Sequence, residues 1–443
     1  MEGIGYFDIR HVQGRTTSID IDNGSIETAT ESFFDHAVIR ALGHTGWGII
    51  LVDNFQDMGD AAIEALLADA RVISGYTGGE VHLAEPVRGS SMVPAMQEDP
   101  REVSLQEKTD ILRDLEKAVK IPEVVNSRVN YAERAERVMF RDSSGFEKSY
   151  EICRCGFGVM AVASRNGILQ MGYERRHTLR GLNIRHHQEL ARTAAKRAVS
   201  LLDAIPARGG IMNAVLDPEL AGVFAHEAVG HASEGDLVQE GNSILAGKIG
   251  ERIGDPGLTI VDDPSLPEFG FEPFDAEGSA ARETPIIEKG VVANYLHSRE
   301  TLAAVGQGMA GHARAMAGEP PLVRMSNTFI EAGESSLEEI MAECGHGIYL
   351  AGSRGGQVDP GRGVFQFNAE YGYLIEGGEC TRMVRDVSLS GEILKTLFSL
   401  RLCGRDKKMH QGYCGKGGQS VPVSDGAPHV LLADAVVGGN GRD

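Results

Sequence analysis

The sequence predicts an α+β protein. A mixed α/β N-terminal domain spans residues 1–206, and a mostly antiparallel β domain over 207–443 carries one helix with a histidine pair. Three observations predict this. Apolar residues alternate with period two in several N-terminal runs, between stretches of helical period. The segment "PARGG" follows the last of these helices and marks a boundary. Beyond residue 210 the chain changes to glycine-punctuated β-like runs. The 56 glycines among 443 residues exceed the usual usage of about 7% and fit a chain rich in turns and close backbone approaches.

The elements follow in order. Residues 4–30 hold alternating runs, and "DNG" between two of them is a hairpin signal. "GWGIILVD" reads as a buried strand. Residues 58–74 have an acidic first turn and helical apolar spacing, and 101–120 repeat that spacing. A β-meander follows with turns at "DSSG" and "RNG", then a helix over 184–205. "RHH" (185–187) at its start reads as solvated or capping. In the second half, "GGIMNAVLD" is a strand, and "PELAGVFAHEAVGHASEGD" a helix with Pro218 in its first turn. "GVVANYLHS", "IYLAGSRGGQV", "GVFQFNAEYGYLIEGGE" and "HVLLADAVVGG" read as strands, interrupted by the helical "SSLEEIMAEC". The run "GVFQFNAEYGYLIEGG" could also offer an edge to an extended peptide.

Charge and composition exclude several functions. With Lys plus Arg at 43 and Asp plus Glu at 63, the net charge is −20 and there is no basic run. Nucleic acid and anionic membranes are therefore not expected as partners. No run of about 18 apolar residues exists to span a bilayer. The opening "MEGIGYFDIR" lacks the pattern of a secretory signal, so a cytoplasmic location is expected. There the six cysteines are thiols, metal ligands or packing residues.

The chemistry-bearing stretch is "FAHEAVGHASEGD", which contains H-E-x-x-x-H, one residue longer than the H-E-x-x-H of zinc peptidases. In an α-helix, residues five apart lie about 140° apart around the axis, so His226 and His231 cannot face one ion. A π turn with i→i+5 bonding would bring them together, and Gly230 is placed to ease the distortion. Zinc would need a third protein ligand. Glu234, Asp236 and Glu240 are possible donors, and so are the cysteines. Among these Cys414 ranks first: it stands in "HQGYCGKGGQSVPV" among glycines, and Lys416 two residues on would favour a thiolate. Cys153 and Cys155, in "CRC", point to one face of a strand and read as core.

These motifs resemble the TldD branch of the TldD/PmbA family of zinc peptidases. The similarity rests on "HEAVGHASEGD" (226–236), "YLHSRETL" (295–302), "RMSNTFIEAG" (324–333), "GGQVDPGRGVFQFNAEYGYLIEGGE" (355–379) and "GYCGKGGQSVPV" (412–423), which occur in the family's order. The resemblance implies Zn²⁺ held by His226, His231 and Cys414, with Glu227 as general base acting on water at the fourth position. It also implies a cytoplasmic metallopeptidase acting on unfolded or extended peptides. Oligomers are implied too, with copies of itself or with an inert PmbA/TldE-like subunit. Tyr413, His297 and His410 are candidates for oxyanion stabilisation. Two other classes compete. A non-catalytic peptide-binding scaffold conflicts with the complete His226, Glu227, His231 and Cys414 set. A zinc-and-cysteine oxidoreductase lacks a dinucleotide-binding fingerprint.

Overall fold

The structure, a computed structural model, describes residues 5–182 and 185–441. Ile4, in the first alternating run, and Ile184, first residue of the predicted third helix, lie outside the described residues.

The N-terminal sheet is antiparallel throughout, in the order β3-β2-β1-β4-β5-β6: β1 Tyr6–Asp22, β2 Ser25–Gly43, β3 Gly46–Asp53, β4 Val124–Asp142, β5 Glu147–Arg165 and β6 Ile168–Thr178. Its turns lie where the sequence places them. Asn23 and Gly24 have φ of 48° and 86°, and Asn166 and Gly167 have 53° and 80°. Paired positive φ values are what a two-residue hairpin matching the strand twist requires, and Asn-Gly reaches them at least cost. The alternating runs of 4–30 merge into much longer strands than they suggest, because the β1–β2 pairing continues past the apolar stretches, with one irregularity between Asp20 and Ile21.

Helices α1 (Asp60–Ser74), α2 (Leu105–Val119) and α3 (Gln188–Asp203) cover this sheet. Ser104 starts α2 by accepting a hydrogen bond from Glu107 N at 3.2 Å. α3 starts at Gln188, with His187 at the N-cap position making no side-chain cap. Its alanine face, Ala191, Ala194, Ala195 and Ala198, lies buried against Phe157, Val159 and Ala161 of β5. One expectation fails: "GWGIILVD" is the sheet's edge, not a buried strand, with Ile49 and Leu51 exposed. An apolar run reports one buried face, here the one under α1, and cannot report how many neighbours a strand has.

The second half contains two large sheets. The larger runs in the order 356–359, 364–368, 387–392, 430–440, 208–216, 346–351, 371–376, 379–385 and 205–206, with 400–403 also pairing 430–440. The smaller runs in the order 291–292, 284–288, 260–262, 327–330, 419–427 and 408–416. Most pairings are antiparallel; 208–216 with 346–351, 379–385 with 205–206, and 327–330 with 419–427 are parallel. The strands of "GVFQFNAEYGYLIEGG" sit inside the larger sheet with a neighbour on each side, so they offer no edge to a peptide. Among the described residues no helix is long and apolar enough to cross a membrane.

A charged cluster is sealed inside the N-terminal unit. Lys108 of α2 is fully buried and donates to Glu133 of β4 at 2.5 Å, and the Tyr131 hydroxyl donates to the same carboxylate at 2.7 Å. Removing one partner of a buried pair leaves the other charge uncompensated. Lys108→Met is expected to destabilise the protein by about 3–5 kcal/mol, read as a lower urea midpoint in equilibrium unfolding.

Candidate metal centre

Helix α4 (Pro218–Phe224) begins as the sequence predicts. Asp217 is its N-cap, accepting a hydrogen bond from Leu220 N at 2.8 Å, and Pro218 occupies the first helical position. Leu220, Ala221, Phe224 and Ala225 belong to the core, and burying a side chain of the size of Leu or Phe contributes about 1.5–3 kcal/mol. At Gly222 the helix touches the strand Gln419–Ala427 so closely that a Cβ would lie 2.8 Å from Gly426 N. That strand pairs with Lys408–Lys416, which carries Cys414. The close approach therefore brings the histidine helix beside the cysteine strand.

Beyond Phe224 the winding changes. Residues Ala225–Gly230 form a π turn and His231–Ser233 a 3₁₀ turn. The wider turn absorbs the extra residue of H-E-x-x-x-H and places the two imidazole rings 5.4 Å apart between centroids. Gly230 contributes differently from the sequence expectation. Its φ of −56° and ψ of −57° are ordinary right-handed values, so it relieves no backbone strain. Its hydrogen leaves room for buried Met325: a Cβ would lie 1.9 Å from the Met325 sulfur.

Among the described residues, one group of three potential metal-ligating side chains comes together. A ligand atom from each of His226, His231 and Cys414 lies within 4.8 Å of the others. His231 Nε2 is 3.6 Å from Cys414 Sγ and 3.6 Å from Glu227 Oε2. His226 is buried, and its Nδ1 has no hydrogen-bond partner. Glu227 is about one-third exposed, so its carboxylate reaches both the histidine and the solvent side. Two imidazoles and a thiol, drawn from separate elements to one buried point, suit zinc in donor type and number.

The electrostatics favour ligation. Burial opposes a Cys414 thiolate, but hydrogen bonds and charge from His226 and His231 outweigh it and hold the thiol down at about 4. Burial likewise opposes charge on His226, yet Cys414 and Glu227 raise it to about 9. His231 is raised well above its ordinary value: burial works against this, and the Glu234 carboxylate and Cys414 overcome it. Lys416 makes its own contacts with carboxylates and not with the sulfur. Its ammonium turns to Glu234 at 3.0 Å and to Asp236 at 2.8 and 2.7 Å.

The other candidates separate clearly. Glu234 and Asp236 hold Lys416 rather than joining the ligand group, and exposed Glu240 accepts a bond from Asn242 at 3.1 Å. His297 is fully buried, its Nδ1 2.9 Å from the Thr301 hydroxyl and its Nε2 2.8 Å from the Gln307 carbonyl. Both nitrogens are engaged, so it is a structural residue. Tyr413 is exposed, its ring edge-on to Phe269 and His177. His410 lines a polar cleft of about 730 Å³ between β6 and the Cys414 strand, whose walls include His177, Arg175, Glu219 and Phe269. All six cysteines are free, with Cys153 and Cys155 buried in β5. No sequence signal singles out Arg324, a fully buried guanidinium that donates to the Cys414 carbonyl.

Two outcomes follow from this geometry. Gly230→Val is expected to weaken zinc binding by forcing Met325 into the ligand turn, and Met325→Ala in the same chain is expected to restore part of it; a competition assay with a chromophoric chelator reads both. The raised imidazoles and lowered thiol mean that a divalent ion competes with protons at the histidines rather than at the sulfur. Zinc affinity is therefore expected to rise as pH increases from 6 towards 9, with proton release measurable by calorimetry in buffers of different ionisation enthalpy.

Comparison with known proteins identifies the family. Family models for the PmbA/TldA metallopeptidase match in three segments: domain 1 over residues 7–74, the central domain over 98–202 and the C-terminal domain over 209–439. A metalloprotease of Methanothermobacter thermautotrophicus is 39% identical, with 98% of this chain and 96% of that protein covered. One of Archaeoglobus fulgidus is 40% identical over 98% and 99%. A zinc metalloprotease TldD homolog of Saccharolobus solfataricus is 36% identical over 55% of each chain. In fold, the chain is similar to the crystal structure of a proposed modulator of a DNA gyrase from Thermotoga maritima, with a TM-score of 0.83 at 22% identity over 98% of this chain and 96% of that one. It is also similar to TldE from Thermococcus kodakarensis, with a TM-score of 0.76 at 20% identity over 97% of each. The chain belongs to the PmbA/TldD family and is a metallopeptidase.

Proposed function

We propose that this metallopeptidase is zinc-dependent, that His226, His231 and Cys414 hold the ion, and that Glu227 is the general base in hydrolysing unfolded or extended peptides. The observation that carries the reading is the meeting of the three ligand atoms within 4.8 Å of one another, with the Glu227 carboxylate 3.6 Å from His231 Nε2. Two neutral imidazoles and one thiolate leave a divalent ion with one net positive charge. When bound, zinc supplies Lewis acidity towards a peptide carbonyl and lowers the pKa of water. Glu227, which is not one of the three ligands, accepts the proton of the attacking water at its carboxylate and returns it to the leaving amine nitrogen. Its partial exposure leaves that carboxylate open to substrate.

The same reading covers organisation. A division into 1–206 and 207–443 is supported by the N-terminal sheet, whose last strand is β6 and which α3 covers, while both large later sheets are built from residues beyond 204, with 205–206 already paired in the larger one. A cytoplasmic setting is supported by the six free thiols. Assembly with copies of itself or with a PmbA/TldE-like subunit is supported by the fold shared with TldE.

Metal analysis and peptide hydrolysis test the centre together. Wild type is expected to carry about one zinc per chain, and Cys414→Ala to lose it. Glu227→Gln is expected to keep the metal while hydrolysis of a short flexible peptide falls by roughly 10²–10⁴-fold. Zinc unchanged in Cys414→Ala would remove that residue from the ligand set. Loss of zinc in Glu227→Gln would make Glu227 a ligand rather than a base.

A further inference from the structure

The ligand segments each continue into a charged residue that the peptidase chemistry leaves unused: "HASEGD" after His231 and "CGK" after Cys414. The structure joins them. Glu234 is fully buried, and its Oε2 accepts from His231 Nδ1 at 3.1 Å and from Lys416 Nζ at 3.0 Å. Lys416 also donates to Asp236 at 2.8 and 2.7 Å and to the Val323 carbonyl at 3.0 Å, which engages all of an ammonium's donor capacity. One buried carboxylate thus links the ring of a candidate ligand to a lysine two residues beyond another. Cys414 and Lys416 lie on the same face of their strand, so holding the lysine also fixes how far the sulfur projects.

The geometry points to Glu234 and Lys416 as paired positioning residues of the metal centre. Glu234 holds the His231 proton on Nδ1 and so leaves Nε2, the nitrogen 3.6 Å from Cys414 Sγ, as the one to take an ion. Lys416 ties that carboxylate to the cysteine strand, so that histidine and sulfur keep their separation of 3.6 Å. A carboxylate behind a ligating imidazole sets its tautomer and orientation, and its loss typically costs 10–100-fold in metal affinity. The ammonium keeps Glu234 from being a buried charge supported by the histidine alone. This inference rests on the zinc reading above.

The test uses the full chain as wild type, Glu234→Gln, Lys416→Met, the double variant and Asp236→Asn. Zinc affinity is measured by chelator competition, the Co²⁺-loaded forms by absorption, and folding by thermal melting. Each of the first two substitutions is expected to lower zinc affinity by about 10–100-fold. The double variant is expected to lose little more than the worse single, because the two residues act as one unit. Glu234→Gln is expected to shift the thiolate-to-cobalt charge-transfer and d–d bands. Asp236→Asn leaves the Glu234 link in place and is expected to stay within about fivefold of wild type, as for a partly exposed pair. Folded single variants with wild-type affinity and an unchanged cobalt spectrum would overturn the pairing. So would losses that multiply in the double variant, or an Asp236→Asn loss as large as that of Glu234→Gln. Wild-type protein that binds neither zinc nor cobalt would overturn the zinc reading itself, a result distinct from any difference among the variants.

Discussion

Helix α4 lies flush against the strand 419–427 because Gly222 presents no side chain at the crossing, where a Cβ would lie 2.8 Å from Gly426 N. This contact determines where everything else in the centre can be. It fixes the distance between the helix that continues into His226 and the hairpin that carries Cys414. With that distance set, the π turn has only to rotate the second histidine, and the Cys414 strand has only to end its reach at the right residue. A β-carbon at position 222 would push the helix off the hairpin and separate the ligands without changing any of them.

The spacing of the histidine pair is then a matter of winding. Five residues of α-helix leave two side chains about 140° apart, and one wider turn removes most of that angle. Such a turn needs tertiary support, since i→i+5 bonding is intrinsically rare. Here the support is packing: Ala225, Ala228 and Val229 lie in the core, and Met325 fills the space beside Gly230. The small residues of "FAHEAVGHAS" are therefore as much a part of the centre as its ligands.

The sequence made some of this legible and hid the rest for physical reasons. The Asn-Gly turns of β1–β2 and β5–β6 were readable because positive φ at two successive residues restricts the residue types locally. The ligand candidates were readable because imidazole and thiol stand out by type, and the π turn because the spacing demanded it. The partners of Lys416 were not legible: two residues along a strand fix a shared face, but not which acidic groups wait there from another element. Arg324 went unremarked for the same reason, since its partner is a carbonyl 90 residues away. The edge position of "GWGIILVD" was not legible, and neither was the choice between interior and edge for "GVFQFNAEYGYLIEGG", because strand order is a property of the assembled sheet.

The polar cleft has a consequence for the protein's life in a crowded solution. Its two sides are terminal strands, β6 in one sheet and 408–416 in the other. Open strand ends of this kind template growth of sheet from a neighbouring molecule. Here side chains occupy the backbone groups that such growth would use. Glu370 accepts from Tyr173 N at 3.1 Å, Arg197 donates to the Tyr173 carbonyl at 3.3 Å, and Arg354 to the Met171 carbonyl at 2.9 Å. Across the cleft, Arg175 donates to the Gln411 carbonyl at 2.8 Å. The salt-bridged walls thereby act as a guard against aggregation, leaving the chain with fewer free ladder positions than its strand order suggests.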